Sequence, residues 1–155
     1  MSNEYRTDQL EKPIEVGNKE ASNRIVMNAM EGNDADEKGN PTERTKRRYR
    51  KCFEGDAGIV QTGALTITYD SRGRKNQESI MPRNKEALEN LNEELRDINE
   101  DPLFIWQITH SGELSDPEFS HRVTPKKLPG FGGDLLTEDD VKEIQEQYVR
   151  AARVA

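Results

Sequence analysis

Three short apolar runs alternate with three segments of helical periodicity along this chain. The runs fall within residues 23–30, 57–65 and 102–109, and each has β-branched or aromatic side chains at its centre. Such runs, bounded by Gly, Pro or Asn, are typical of buried strands. Near-continuous apolar strands separated by amphipathic helices indicate a parallel sheet covered by helices. The sequence therefore predicts an α/β fold in the order βα-βα-βα.

Capping signals set the limits of the first two predicted helices. The first helix should begin after Asn40, with Pro41 at its first position, and should end near Glu54 because Gly55 follows. Its thin apolar face consists of Tyr49, Cys52 and Phe53. The second helix should span residues 84–99, where apolar side chains recur at helical spacing. These side chains are Leu88, Leu91, Leu95 and Ile98.

The third helix has the clearest start signal. Thr137 is the predicted N-cap, Asp140 completes a capping-box pattern, and Leu136 with Val141 occupies the two hydrophobic-staple positions. The inner face of this helix should carry Val141, Ile144, Tyr148, Ala151, Ala152 and Ala155.

The composition limits what the chain can be. Hydrophobic residues make up 32% of it, or about 39% with glycine included, and charged residues 34%, whereas globular domains usually contain roughly 45–50% apolar residues with glycine included. The chain should therefore be extensively solvated, or something outside it should supply part of its core. A net charge of −7 disfavours general nucleic-acid binding. The basic residues within 44–51 are expected to form the solvated face of a helix.

Several other classes of protein and site are disfavoured. No apolar run reaches the roughly 20 residues that a membrane span needs, the N-terminus lacks a secretory apolar core, and Cys52 is the single cysteine, so we expect a cytoplasmic protein. Residues 34–45 begin like a calcium loop but lack its ligand count. His110 and His121 have no evident third metal ligand, so no metal site is predicted. Residues 130–134, GFGGD, are expected to be a flexible turn and not a phosphate loop.

Polar side chains cluster where the three predicted strands end. In parallel α/β barrels these carboxyl ends and their loops build the active site. Met30 could offer an apolar platform to a flat heteroaromatic ligand, and Gly63 with Ala64 would permit close backbone approach. The Gln107 amide offers donors and an acceptor in one plane, although a buried Gln could instead satisfy neighbouring backbone groups.

Four segments in register now carry a family resemblance: LEKPIEVGNKEASNRIVMNAM, GNPTERTKRRYRKCFEGDAGIVQTGA, FIWQITHSGE and LTEDDVKEIQEQYVRAARVA. Over residues 10–155 they resemble the N-terminal part of the Old Yellow Enzyme family, which consists of FMN-dependent NADH:flavin oxidoreductases on a (β/α)8 barrel. Residues 1–10 are polar and are expected to form a flexible N-terminus. The resemblance implies that residues 11–155 form a partial (β/α)8 TIM barrel of about three parallel βα units.

The resemblance assigns the cofactor-binding positions as Ala29, Met30, Glu31, Ala64 and Gln107. Ala29 and Met30 stand where the family has a Pro-Met pair against the flavin, and the Gln107 amide should pair with the flavin pyrimidine. Glu31 falls where a side chain commonly faces the flavin O4 and N5 edge. If it does so here, Glu31→Gln should raise the reduction potential; if Glu31 pairs with a loop Arg or Lys, the potential should not change.

Two departures from the family pattern lie close to these positions. Ala29 replaces the Pro, and Glu113 replaces the Arg of the His-x-Gly-Arg turn that begins at His110. The family's substrate-binding His/Asn pair, its Tyr proton donor and its phosphate site correspond to positions beyond Ala155. The catalytic residues are therefore unknown and expected in the absent half of the barrel.

The implied function is that of an N-terminal subunit or fragment of an FMN-dependent NAD(P)H oxidoreductase. Hydride would pass from NADH or NADPH to FMN and then to an activated C=C bond of a small unsaturated substrate. The implied partner is a chain carrying the rest of the barrel, or another copy of this chain. One alternative is a non-catalytic, degenerate half-barrel with a structural or regulatory role. A weaker one is a nucleic-acid-binding module using residues 44–51.

Overall fold

The computed structural model describes residues 7–127, 129–130 and 132–155. Most of the predicted flexible N-terminus, residues 1–6, lies outside this part, and Thr7–Gln9 forms a short 3-10 turn. The helices are α1 (Glu43–Glu54), α2 (Lys85–Ile98) and α3 (Glu138–Ala152). The strands are β1 (Ile14–Val16), β2 (Lys19–Ala21), β3 (Val26–Met27), β4 (Ile59–Gln61), β5 (Leu65–Thr66), β6 (Leu103–Ile105), β7 (Ile108–Thr109), β8 (Val123–Thr124) and β9 (Asp134–Leu135).

Parallel strands form the centre of the fold, as predicted. β3, β4 and β6 make a three-stranded sheet in that order, and β5 pairs with β7 in parallel beside it. The three predicted strands are therefore present, but the second is divided into β4 and β5 and the third into β6 and β7. At the break the Gln107 N–H donates to Thr62 Oγ1, 3.1 Å away. A side-chain oxygen therefore accepts the hydrogen bond that a backbone carbonyl would accept in a continuous strand pair. The apolar pattern of the sequence does not reveal this break.

Two strand pairs were missed by the sequence interpretation. β1 and β2 form an antiparallel hairpin, and Gly17 in its turn has φ +63°, a conformation that favours glycine. The Gly17-Asn18 pair between two short strands is a hairpin signal that could have been recognised. β8 pairs with β9 in parallel, so the end of the predicted GFGGD turn is a strand, because Asp134 donates its N–H to the Arg122 carbonyl.

The N-terminal cap of α1 differs from the prediction. Thr42, not Asn40, is the N-cap, and it forms a capping box with Thr45. The Asn40 side chain is already occupied, because its amide donates to Asp36 Oδ2 and its carbonyl accepts from Asn84 Nδ2. The C-terminal end agrees with the prediction, since α1 ends at Glu54 before Gly55.

The other two helices follow their predicted limits closely. α2 buries Leu88, Leu91 and Leu95 as expected, whereas Ile98 is 39% exposed. α3 has the predicted Thr137–Asp140 capping box. Its contacts with the core come from part of the predicted inner face, through Ile144, Tyr148 and Ala151, with Val154 following. Val141, Ala152 and Ala155 are exposed, contrary to the prediction.

Two apolar clusters hold the layers together. The larger lies between α1, α2 and the sheet and contains Tyr49, Phe53, Ala57, Val60, Leu91 and Leu95. Val60 is part of this cluster, and Phe104 packs edge-on against Phe53 at a centroid distance of 5.3 Å. Both side chains therefore lie on the face of the sheet that the helices cover. Ile25 and Val26 are 48% and 42% exposed. The second cluster joins β5 to α2 and α3 through Leu65, Ile67, Ile80, Leu88 and Ala151.

Candidate functional site

The ends of the first two parallel strands meet at Ala29 and Gly63. A Cβ placed on Gly63 would lie 2.5 Å from the Ala29 Cβ and 2.7 Å from its Cα. Real Cβ atoms do not approach other atoms so closely, so the backbone here requires a glycine for space. Ala29 makes this contact and Ala64 directly follows Gly63, so both predicted cofactor-binding positions lie at the same edge.

Gln107 is fixed through its main chain, while its side chain remains accessible. Its N–H donates to Thr62 Oγ1 at 3.1 Å and its carbonyl accepts from the Leu65 N–H at 2.8 Å. The side chain is exposed and makes no hydrogen bond to another residue within the described part of the chain. The alternative that this amide satisfies neighbouring backbone groups therefore does not describe the structure.

Met30 and Ala64 contribute an exposed apolar surface and a fixed backbone position. Met30 is 66% exposed, and its carbonyl accepts from Arg48 Nη1 at 3.4 Å. The Ala64 carbonyl accepts from Gln77 Nε2 at 2.9 Å. A thioether that is accessible in this way can cover the face of a flat ligand.

Glu31 makes an ion pair with a loop arginine. Its Oε2 lies 3.1 Å from Arg74 Nε, which matches the second of the two arrangements that the sequence left open. Both side chains line a pocket of about 460 Å³ together with His110 and Ser111.

His110 occupies the loop that follows β7. Its Nδ1 accepts the Gly112 N–H at 3.0 Å, so the hydrogen of the neutral ring is on Nε2. Burial lowers the pKa of His110, and the nearby Asp70 opposes that effect in part. The ring also lines a second pocket of about 190 Å³, where His121 Nε2 lies 2.9 Å from Asp134 Oδ2.

A buried charged cluster behind Gly63 was missed by the sequence interpretation. Glu78 is 4% exposed; its Oε2 accepts from Tyr49 Oη at 2.9 Å and from Arg48 Nη2 at 3.1 Å. Arg48 also donates to Asp34 Oδ1 at 3.1 Å. Burial raises the pKa of Glu78, with Arg48 opposing the rise, and burial raises the pKa of Tyr49. A single Glu in a polar loop carries no sequence signal that it will be buried.

The contacts also account for the calcium-like loop and the basic segment of the sequence. In the calcium-like loop, Asp34 is held by Arg48, and Asp36 accepts hydrogen bonds from Asn40 and Lys38. In the basic segment, Lys46 and Arg50 both pair with Glu94 on α2. The basic side chains therefore serve partly as ion-pair donors within the fold.

Among the described residues no cluster of three or more His, Cys, Asp or Glu side chains could hold a metal ion. No helix in the same part of the chain is both long enough and apolar enough to cross a membrane.

Comparison with known proteins identifies what this arrangement resembles. The model of the NADH:flavin oxidoreductase / NADH oxidase family matches residues 9–155. No curated protein matches the sequence. Among solved structures, 2-naphthoyl-CoA reductase bound to 2-naphthoyl-CoA superposes with a TM-score of 0.85 at 21% identity, covering 95% of this chain and 25% of the other.

Two further solved structures are similar. An Old Yellow Enzyme homologue from Zymomonas mobilis has a TM-score of 0.82 at 23% identity, covering 95% of this chain and 45% of that one. Morphinone reductase in complex with tetrahydroNAD has a TM-score of 0.79 at 19% identity, covering 94% and 45% respectively. These likenesses establish the fold: the chain corresponds to the N-terminal part of a TIM barrel. It spans between a quarter and a half of the length of these relatives.

Proposed function

The chain belongs to the NADH:flavin oxidoreductase / NADH oxidase family, and from this premise we propose that it forms one side of the FMN site of an NAD(P)H-dependent oxidoreductase. The proposal rests on the edge where the parallel strands end, which is formed by Ala29, Met30, Gly63, Ala64 and Gln107 and is called the strand-end edge. There Gly63 lies against Ala29, Met30 is exposed, and the Gln107 amide has no partner among the described side chains. An exposed apolar side chain and a planar amide without a partner are groups that suit a flat ligand with polar atoms at its edge.

Each residue of this edge has a distinct proposed role toward the ring. Met30 covers part of one face, while Gly63 and Ala64 let the backbone approach the ring edge. Gln107 pairs its amide with the polar atoms of the pyrimidine portion. The main-chain bonds of Gln107 to Thr62 and Leu65 fix the backbone position from which that amide would reach the ring.

The chemistry of the bound cofactor is hydride transfer from NADH or NADPH to a small molecule with an activated C=C bond. The residues of this chain bind and orient the ring and exclude water from one of its sides. Glu31 is held by Arg74 at the rim and is not assigned a proton-transfer role. The proton donor and the phosphate site belong, in this proposal, to strands that the chain does not contain.

The proposal also requires additional strands to complete the barrel. Within the described part of the chain, β3 and β6 form the two edges of the central sheet, and Ile25, Val26 and Ile105 are exposed nearby. Unpaired strand edges beside exposed apolar side chains favour association with further strands. The same polypeptide, a second chain or another copy of this one could supply these strands, and each source would bury the same edges.

The test uses the protein in the form that contains a complete barrel. FMN is added and its binding is followed by the quenching of flavin fluorescence. NADH or NADPH is then added without oxygen, and loss of the flavin's visible absorbance measures reduction. Recovery of that absorbance after addition of an α,β-unsaturated ketone would support the ene-reductase activity. FMN that binds but is not reduced would favour the non-catalytic half-barrel, and failure to bind FMN would contradict the proposal.

A further inference from the structure

Glu78 presents an unusual imbalance of hydrogen bonds. One carboxylate oxygen, Oε2, accepts from both Tyr49 and Arg48. The other oxygen, Oε1, is buried and has no hydrogen-bond partner among the described residues. Buried polar atoms without partners are uncommon and cost free energy, so a carboxylate retained here calls for a reason beyond local stability.

The charges around Glu78 are also unequal. Arg48 donates to both Asp34 and Glu78 at 3.1 Å, so one guanidinium serves two carboxylates. Both carboxylates are at most 8% exposed. With both ionised, the cluster carries one surplus negative charge in a poorly solvated region, where its field is screened less than at the surface.

Tyr49 connects this cluster to the strand-end edge. Its fully buried phenol donates to Glu78 Oε2 at 2.9 Å. The same phenol oxygen accepts from the Gly63 N–H at 3.2 Å. The carboxylate therefore fixes the orientation of the hydroxyl, and the hydroxyl oxygen fixes the Gly63 amide that packs against Ala29.

Gln77, the residue before Glu78, binds Ala64, the residue after Gly63. Gln77 Nε2 donates to the Ala64 carbonyl at 2.9 Å, and Gln77 is itself buried. Gln77 and Glu78 thus act on the two ends of Gly63–Ala64, one directly and one through Tyr49. The Thr66 N–H donates to the Glu78 carbonyl and the Ile80 N–H donates to the Thr66 carbonyl, which keeps the two segments together.

We propose that Glu78 is a positioning residue for the flavin, which acts through Tyr49 to fix the Gly63–Ala64 segment at the edge that meets the ring. This inference rests on the proposed function. The Glu78 carboxylate also places a negative charge behind that edge, which opposes the negative charge gained by a flavin on reduction. A purely structural residue would not affect the reduction potential through its charge.

The first arm of the test does not involve flavin. Hydrogen exchange at the Gly63 amide is measured by NMR in the complete protein, in Tyr49→Phe and in the matched control Tyr148→Phe on α3. Loss of the acceptor should speed Gly63 exchange about tenfold in Tyr49→Phe, as expected for one hydrogen bond of roughly 1.4 kcal/mol. The control should exchange at the wild-type rate. Equal exchange in both variants would overturn the proposal, whatever the flavin does.

The second arm uses the FMN-loaded protein and separates position from charge. Tyr49→Phe should weaken FMN binding about tenfold, the loss expected for one positioning hydrogen bond. Glu78→Gln should weaken it less, because the amide oxygen can still accept the hydrogen bond from Tyr49. Glu78→Gln should also raise the flavin's reduction potential, whereas Tyr49→Phe keeps the charge and should change it less. Glu89→Gln, an exposed carboxylate on α2, is the control for removing a charge.

The outcomes distinguish this inference from the proposed function. If wild-type protein binds and reduces FMN while Glu78→Gln and Tyr49→Phe match their controls, the positioning role is wrong and the proposed function stands. If wild-type protein does not bind FMN, both are wrong. If Glu78→Gln does not fold, Tyr49→Phe still decides, because unchanged FMN affinity in that variant overturns the role.

Discussion

Gly63 lies so close to Ala29 that the carbon a side chain would add there would fall 2.5 Å from the Ala29 Cβ. This contact joins the ends of the first two parallel strands. It also places the Gly63 amide within 3.2 Å of the Tyr49 hydroxyl. The candidate site depends on this spacing, since Met30 and Ala64 are the next residues along each strand.

Gly63→Ala should destabilise the fold. Adding a methyl group to a packed site forces shifts that typically cost about 1–3 kcal/mol, so the urea midpoint should fall. Gly132→Ala is a suitable control, because the nearest atom to a Cβ at Gly132 is Arg122 Nη1 at 3.7 Å. Equal unfolding midpoints for the two variants would show that Gly63 is not spatially constrained.

Gln107→Leu should weaken FMN binding in the complete protein. The substitution removes the amide and leaves flavin polar atoms without partners, a loss of roughly 1–3 kcal/mol. Affinity should fall by about one to two decades, as measured by fluorescence titration. Gln145→Leu, on the exposed face of α3, should bind FMN normally. If Gln107→Leu binds FMN as tightly as this control, the amide does not contact the flavin.

Glu31 should influence the flavin only when Arg74 no longer holds its carboxylate. Glu31→Gln should leave the reduction potential close to wild type, because the remaining Arg74 side chain is 61% exposed and water screens its charge. Arg74→Gln frees the carboxylate from the ion pair and should lower the potential, and adding Glu31→Gln to it should restore the potential. The fold should tolerate these changes, since an exposed ion pair contributes about 0–1 kcal/mol. A rise in potential in Glu31→Gln alone would indicate that the carboxylate acts on the flavin in spite of the ion pair.

His110 should make the stability of the protein depend on pH. Its folded pKa lies below the ordinary value of 6.5 because the ring is buried, so the unfolded chain takes up the proton first as pH falls. The stability that the neutral His110 ring contributes is therefore fully present above pH 6.5 and is lost as pH decreases through the folded pKa. Protonation of Nδ1 would also remove the acceptor for the Gly112 N–H.

The matched variant for this test is His110→Asn, whose carbonyl can accept the same N–H without titrating. Urea unfolding between pH 5 and 8 should show a smaller acid-side loss of stability in the variant. Parallel pH profiles for the two proteins would contradict the role of His110.

This chain expressed alone should neither retain FMN nor remain monomeric. Ile25, Val26 and Ile105 are 48%, 42% and 37% exposed, and they lie on the edge strands of the central sheet or next to them. Association would bury these side chains and pair the strand edges. Solution mass and flavin absorbance of the purified chain provide the measurement. A soluble monomer with stoichiometric FMN would contradict the proposal that further strands complete the site.

The sequence by itself determined the order and type of the main elements. The limits of α2 and the capping box of α3 follow from side chains within a few residues of each other, and local interactions of this kind are encoded by spacing alone. The apolar runs also located the parallel strands. Because side chains at the ends of parallel strands share one edge, the sequence pattern was sufficient to propose that Gly63 and Gln107 belong to a common site.

Only the tertiary structure decided which partner each polar group would have. Tyr49 meets Glu78 across 29 positions of sequence, Glu31 meets Arg74 across 43, and the Gln107 N–H meets Thr62 across 45. Hydrogen bonds and ion pairs form wherever packing brings complementary groups together, and no local pattern records that distance. For the same reason Thr42 displaced Asn40 as the cap of α1: the Asn40 side chain is engaged by Asn84, a residue 44 positions away.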